Sequence, residues 1–235
     1  MADIKRGYVP SDEKEFGQNA LPLLKRAQQD ILYLLEQGYP MKSASTFVGN
    51  HYMLSERQRM AIVRATSNRE TLIIRRNKEL PVKGPYKKVA IDGFNVIITL
   101  EVALSASTLI RCMDGTIRDL AGLRGTYRII DKTKTAIELL GDKLSELQIE
   151  EAVIYLDSPV SNTGRLKQKI LDLLSEKSYQ VLVELVDNAD VILEGLDHVV
   201  TQDSIILNKC LNWINLTADI ITKKIPQSTY IDLGQ

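Results

Sequence analysis

Four short apolar runs in the second half of this chain each end at, or within a few residues of, an aspartate. These residues are Asp92, Asp157, Asp187 followed by Asp190, and Asp203. Short apolar runs of this length are typical of buried strands. An unpaired, ionised carboxylate at the end of a buried strand is strongly destabilising, so each one must meet a cation, several hydrogen-bond donors or a metal ion.

Carboxylates that converge from separate strands repel one another unless a hard divalent cation neutralises them. Oxygen ligands suit Mg²⁺ or Mn²⁺, and such a metal polarises a scissile phosphate and lowers the pKa of an attacking water. The pattern therefore predicts a site that cleaves phosphodiesters. For any one of these residues taken singly, a helix cap is the alternative interpretation. Capping also predicts exchange with Ser, Thr or Asn, whereas this series uses Asp each time.

The elements that would position these carboxylates alternate between strand-like and helix-like segments from Val89 onward. Candidate strands cover 88–92, 151–156, 180–186, 198–201 and 213–216, and amphipathic segments lie at about 98–111, 125–147, 163–177, 188–195 and 203–210. This alternation predicts an α/β fold with a parallel, Rossmann-like sheet flanked by helices. In such sheets, sites lie beyond the carboxyl ends of the strands.

The first part of the chain is predicted to be all helical. After a loose arm at 1–10, helices are predicted at about 11–37, 42–48 and 55–65. Ser55 with Gln58 three residues later has the pattern of a capping box. Residues 79–86 contain two prolines and a glycine and are the best linker candidate. We therefore predict a small all-α, basic domain at 1–80 and an α/β domain at 87–235.

The charges are unevenly distributed, although Lys and Arg together number 30 and Asp and Glu together also number 30. Residues 1–88 carry a net charge of +7 and residues 89–235 a net charge of −7. From Lys42 to Lys88 there are 11 basic and 3 acidic residues, a density that could track the phosphates of RNA. A solvated helical surface explains the same density equally well.

Composition also limits the setting in which the protein works. The two cysteines form no CxxC motif, and no apolar run approaches the length of a membrane span. We expect a cytoplasmic protein without a membrane partner. A homo-oligomer is one of the two assembly states that we consider, the other being a monomer.

Four pieces of the sequence, taken in order, resemble the motifs of PIN-like nucleases, specifically the NYN branch. They are Ile91-Asp92-Gly93-Phe94-Asn95-Val96, Val153-Ile154-Tyr155-Leu156-Asp157, Asn188-Ala189-Asp190-Val191-Ile192 and Val199-Val200-Thr201-Gln202-Asp203-Ser204. The resemblance covers about residues 88–220. It implies a PIN-like fold with a metal-dependent ribonuclease activity, and it carries the catalytic and metal-binding roles over to Asp92, Asp157, Asp190 and Asp203.

The same resemblance suggests supporting roles for other residues. Asn95 would orient the first carboxylate or contact phosphate, Thr201 and Ser204 could supply hydrogen bonds, and Asp187 is a second candidate for the third acidic position. Many PIN relatives place another acid on a helix after the first strand, and Asp114, Asp119 and Glu138 all lie in a plausible range for it. Arg118, Arg124 and Arg128 could hold phosphate, although a solvated helix face explains these arginines equally well. Arg165 belongs to a positively charged helix start near Asp157 that could hold a phosphate, and the alternative there is Asn162 as an ordinary helix cap.

Our leading hypothesis from the sequence is a Mg²⁺- or Mn²⁺-dependent ribonuclease. A second hypothesis is a nucleic-acid-binding protein whose PIN-like domain is degenerate and non-catalytic. A third is a phosphohydrolase that acts on a small substrate, because other α/β folds also place Asp at strand ends.

Overall fold

The computed structural model describes residues 4–122 and 125–234. Its centre is a six-stranded sheet in which every pairing is parallel, in the order β1-β8-β7-β2-β5-β6. The strands are β1 (Glu79–Leu80), β2 (Lys88–Asp92), β5 (Glu151–Asp157), β6 (Gln180–Val186), β7 (Val199–Val200) and β8 (Trp213–Ile214). Helices flank this sheet, and an all-helical segment precedes it. The predicted α/β class with a parallel sheet is confirmed.

Strand β2 lies in the middle of the sheet between β5 and β7. Successive side chains of a strand point to opposite faces. Val89 and Ile91 accordingly enter the larger hydrophobic core, whereas Ala90 enters the smaller core on the other face. Both faces are therefore covered, which is why this strand reads as a continuous apolar run.

The chain turns into a helix directly after Asp92. A Cβ atom at Gly93 would lie 2.6 Å from Leu156 Cδ2 and 2.8 Å from the Tyr155 carbonyl oxygen. Only glycine allows the helix to begin this close to the neighbouring strand β5. The tight turn fixes Asp92 at the sheet edge, next to the end of β5.

The helices of this part of the chain are α6 (Gly93–Leu104), α7 (Asp131–Glu146), α8 (Thr163–Leu174), α9 (Ala189–Leu193), α10 (Ser204–Lys209) and α11 (Leu216–Lys224). A second sheet contains β3 (Leu109–Arg111), β4 (Ile117–Asp119) and β9 (Tyr230–Asp232), in the order β4-β3-β9. The predicted helix at 98–111 is therefore wrong at both ends, because α6 starts at Gly93 and residues 109–111 form β3.

The preceding helices are α1 (Asp12–Glu15), α2 (Leu21–Glu36), α3 (Met41–His51), α4 (Glu56–Ala65) and α5 (Arg69–Lys78). The capping box of Ser55 and Gln58 is present at the start of α4. Helices α2, α3 and α4 share a hydrophobic core with the second sheet, where Ala61 and Ile62 join Ile110 and Leu233. The helical segment is thus packed onto the α/β part, and the domain boundary at 80–87 stays a prediction.

The N-terminal residues that the structure describes are docked rather than loose. Arg6 Nε donates a hydrogen bond to Glu101 Oε2 at 2.8 Å, and Gly7 packs beside Val102. Among the described residues, no helix is both long enough and apolar enough to cross a bilayer.

Candidate active site

A pocket of about 260 Å³ lies where β2, β5 and β7 end. Five carboxylates from separate parts of the chain line it: Asp92, Asp119, Asp157, Asp190 and Asp203. Asn95, Ser204 and Arg118 line it as well, together with Arg64 and Gln202. The structure therefore brings together all four of the acidic residues predicted from the sequence and adds a fifth.

Asp92 is the most deeply placed of the four predicted carboxylates, with 6% of its surface exposed. Its Oδ2 accepts a hydrogen bond from Thr201 Oγ1 at 2.8 Å, and its Oδ1 accepts one from the Asn95 backbone N–H at 3.4 Å. Burial, followed by the negative charges of Asp190 and Asp203, raises the pKa of Asp92 to about 7 even though the Thr201 bond acts in the opposite direction. Asp92 can therefore change its protonation state near neutral pH.

Asp203 and Asp157 each accept hydrogen bonds from backbone N–H groups with one of their two carboxylate oxygens. Asp203 Oδ1 accepts hydrogen bonds from the N–H groups of Ile205 at 2.7 Å and Ile206 at 3.3 Å, which caps α10. Asp157 Oδ1 accepts one from the Ala189 N–H at 2.8 Å. In both residues, Oδ2 has no hydrogen-bond partner among the described residues. The capping interpretation is thus correct for Asp203, as it is for Asp92 at the start of α6, and in Asp203 it leaves the second oxygen available to a ligand.

Asp190 lies in the first turn of α9, where Asn188 is the capping residue. It is half-buried, and its carboxylate has no hydrogen bond from the described residues. Partial burial, then the charges of Asp203 and Asp157, raise the pKa of Asp190. The neighbouring negative charges therefore disfavour the ionised form of Asp190.

Asp119, on β4, is the fifth carboxylate. Its Oδ2 accepts a hydrogen bond from Thr99 Oγ1 at 2.6 Å and its Oδ1 accepts one from the Ala121 N–H at 2.8 Å, while burial raises its pKa. The other two candidates for an additional acid lie elsewhere: Asp114 pairs with arginines, and Glu138 pairs with Lys134 at 3.6 Å. The sequence indicated Asp119 only as one of three alternatives, because nothing in it reveals the short β3–β4 pairing.

Asn95 and Gln202 connect the first and last of these strand ends. Asn95 Oδ1 accepts a hydrogen bond from the Gln202 N–H at 2.9 Å, so Asn95 holds backbone next to Asp203. The side-chain amide of Gln202 is buried, and neither its Oε1 nor its Nε2 has a partner among the described residues. A buried polar group without a partner is destabilising, so this amide is suited to meet a water molecule or a ligand at the pocket.

A buried ionic cluster, formed by Asp114, Arg75 and Arg118, supports the strand end that carries Asp203. Asp114 Oδ2 lies 2.6 Å from Arg75 Nη1 and 2.5 Å from Arg118 Nη2. Arg118 Nε donates to the Gln202 carbonyl at 2.7 Å, and Arg75 Nη2 donates to the Ser204 carbonyl at 3.1 Å. The two guanidinium groups thus hold the backbone on both sides of Asp203.

Two of the remaining predicted residues, Asp187 and Arg165, do not line the pocket. Asp187 is exposed and its Oδ1 accepts a hydrogen bond from Ser158 Oγ at 3.3 Å, whereas Asp190 takes the third acidic place in the pocket. Arg165 is exposed on α8 and does not line the pocket. Arg124 lies outside the described residues. Arg64, on α4, lines the pocket but stood out in the sequence only as part of the basic stretch.

The donor set of the pocket fits a hydrated divalent cation. Among the described residues, no three His, Cys, Asp or Glu side chains are close enough together to hold a metal ion directly. Mg²⁺, however, usually keeps several waters and takes only one or two carboxylates from the protein. Unengaged oxygens on Asp157, Asp190 and Asp203, with the unpartnered amide of Gln202 beside them, suit such a hydrated ion.

Comparisons with known proteins place the chain in a family. Residues 83–219, more than half of the chain, match the model of a domain of unknown function (DUF5616), and residues 23–78 match a protein of unknown function (DUF434). The uncharacterized protein MJ0935 of Methanocaldococcus jannaschii is 36% identical over 203 residues, which cover 86% of this chain and 96% of that protein. No solved structure matches the chain significantly. The chain therefore belongs to the DUF5616 family, with a DUF434 segment before that domain.

Proposed function

We propose that this protein is a Mg²⁺- or Mn²⁺-dependent ribonuclease that hydrolyses RNA phosphodiester bonds. The observation that carries the proposal is the convergence of five aspartates, from separate elements of the chain, on one pocket at the carboxyl ends of parallel strands. The ordered motifs that resemble the NYN branch of PIN-like nucleases support the same activity.

In this proposal, Asp157, Asp190 and Asp203 would hold a hydrated metal ion, partly through its bound waters, and the ion would supply Lewis-acid activation of the phosphate and of a water. Asp92 completes the site when it is ionised, and the Thr201 hydroxyl fixes its orientation. Asn95 keeps the Gln202 backbone in place, so the Asp203 carboxylate stays next to Asp92. Ser204 lines the pocket and can donate a hydrogen bond to substrate.

The basic stretch from Lys42 to Lys88 supports RNA as the substrate, but only some of its residues are available. Arg57 pairs with Asp12 at 2.5 Å, and Arg75 belongs to the ionic cluster. Exposed basic residues without an ion pair among the described residues remain on this part of the chain: Lys42, Arg69, Arg76, Lys83 and Lys87. These can contact the phosphates of a polyanion without breaking internal pairs.

The proposal includes a cytoplasmic location, which the two buried, free cysteines support because thiols stay reduced there. Whether the protein acts as a monomer or as a homo-oligomer can be measured by sedimentation of the purified chain.

The test replaces Asp92 and Asp203 together by asparagine and measures Mn²⁺-dependent cleavage of RNA. We expect cleavage to fall by at least about a hundredfold, because the loss of groups that merely support a metal ligand already lowers activity by about 10- to 100-fold. Asp187→Asn is the matched control: it removes a nearby, exposed carboxylate and should leave cleavage unchanged. Undiminished cleavage by the double variant would refute the assignment.

A second candidate is a nucleic-acid-binding protein without catalysis. It is favoured by the hydrogen bonds of Asp92, since both of its oxygens already accept bonds from the protein. Tight, salt-sensitive RNA binding by the wild-type chain, with no turnover in either Mg²⁺ or Mn²⁺, would favour this candidate over the ribonuclease.

A further inference from the structure

Arg64 is the last but one residue of α4, and the packing of this helix holds it at the pocket. Ala61, Ile62 and Ala65 of α4 are buried in the core that α4 shares with the second sheet. The Ala65 carbonyl accepts a hydrogen bond from the Met113 N–H at 3.0 Å, and the Arg64 carbonyl accepts one from Arg118 Nη1. The backbone of Arg64 is therefore fixed from two sides.

The side chain of Arg64 is only partly engaged. Its Nη1 donates to the Asp119 carbonyl and lies 3.9 Å from Asp119 Oδ1, which makes a long ion pair. Its Nε and Nη2 have no hydrogen-bond partner among the described residues, and 36% of the side chain is exposed. Arg64 therefore presents donors to the pocket that the protein itself does not use.

Arg118 lines the same pocket, but its side chain is fully engaged by hydrogen bonds within the protein. It is buried, and its three guanidinium nitrogens donate to Gln202, Arg64 and Asp114. Of the two cations among the described residues that line the pocket, only Arg64 has guanidinium nitrogens that make no hydrogen bond. An anionic substrate that enters among five carboxylates needs such a counter-charge, and the planar guanidinium matches the oxygens of a phosphate.

We propose that Arg64 binds a phosphate oxygen of the substrate, so that the DUF434 segment completes the pocket of the DUF5616 domain. This inference rests on the proposed function in one respect, namely that the phosphate belongs to RNA. Arg64 is then a substrate-binding residue that is contributed from outside the α/β fold, and neither matched region forms the complete site alone.

The test measures binding rather than cleavage. A fluorescently labelled single-stranded RNA is titrated with the full-length protein in EDTA at several KCl concentrations, and its anisotropy is recorded. We expect Arg64→Gln to weaken binding by about tenfold and to reduce the slope of log K against log salt by about 0.7, which is the loss of one phosphate contact. Arg26→Gln is the matched control, since Arg26 is exposed on α2, does not line the pocket and lies outside the basic stretch from Lys42 to Lys88.

Arg64→Lys separates the guanidinium from the charge and also serves if Arg64→Gln does not fold. It should keep the salt slope but weaken binding by about threefold, because an ammonium group cannot make the two parallel bonds. The inference would be overturned if Arg64→Gln bound like Arg26→Gln, if Arg64→Lys bound as tightly as the wild type, or if the wild type did not bind RNA.

The two proposals can fail separately. RNA binding that depends on Arg64, with no cleavage by the wild type in Mn²⁺, would overturn the ribonuclease and support the role of Arg64. Cleavage that requires Asp92 and Asp203, with RNA binding that is unaffected by Arg64→Gln, would support the ribonuclease and overturn the role of Arg64.

Discussion

Asp92 in the pocket and Asp114 in the ionic cluster are both well-buried carboxylates, and they differ in what surrounds them. Burial would raise the pKa of Asp114, but Arg118, Thr116 and Arg75 hold it below its ordinary value. Among the described residues, Asp92 has no ion pair, and burial together with the charges of Asp190 and Asp203 raises its pKa to about 7. A buried aspartate that is paired with arginines of the protein stabilises the fold. A buried aspartate without such a counter-charge indicates a site for an external cation.

The largest effect in this comparison should come from breaking the ionic cluster. Asp114→Asn would leave the guanidinium groups of Arg75 and Arg118 buried without a carboxylate, which is expected to lower the free energy of unfolding by about 3–5 kcal/mol. Urea denaturation at neutral pH measures this difference. The exposed Asp187→Asn control should stay within about 0.5 kcal/mol of the wild type. A loss of less than about 1 kcal/mol for Asp114→Asn would show that the cluster does not stabilise the fold as described.

In metal-free buffer, Asp92→Asn should raise the free energy of unfolding, whereas Asp114→Asn should lower it. The folded pKa of about 7 lies above the ordinary value of 3.8, so the folded state favours the protonated form. This contribution to wild-type stability is fully present below 3.8 and is lost as the pH rises to about 7. Asparagine removes the charge, so the free energy of unfolding of the variant should exceed that of the wild type by about 2–4 kcal/mol at alkaline pH.

Urea denaturation of both proteins in EDTA, over a range of pH values, checks this prediction. The advantage of the asparagine variant should shrink steadily as the pH falls below neutrality, because Asp92 of the wild type then takes up its proton. A difference that does not change with pH would mean that Asp92 titrates normally, and its contrast with Asp114 would be lost.

The sequence predicted the long strands and the acidic residues at their ends, because both signals are local. Strands β2, β5 and β6 are runs of β-branched and other apolar residues, and parallel pairing then brings the residues that follow them to one edge. Asp92 and Asp157 end two of these strands, so their positions follow from the pattern alone.

The rest of the site depends on contacts between distant parts of the chain. Asp119 reaches the pocket on β4, a three-residue strand whose partner β3 also pairs with β9 near the C-terminus. Strands this short carry too few residues for a period-2 pattern to appear. Arg64 and Arg75 belong to one basic stretch, and only their tertiary environment separates an arginine with unused donors from one that is buried in an ion pair.

The most direct test of the acidic pocket is a calorimetric titration with Mn²⁺ at mildly alkaline pH, where Asp92 is ionised. We expect the wild type and Asp187→Asn to bind Mn²⁺ at a saturable site with equal affinity. The double variant Asp92→Asn/Asp203→Asn should bind at least about tenfold more weakly, a difference of about 1.4 kcal/mol. Equal Mn²⁺ affinity for the double variant and the wild type would contradict the claim that these strand-end aspartates form a cation site.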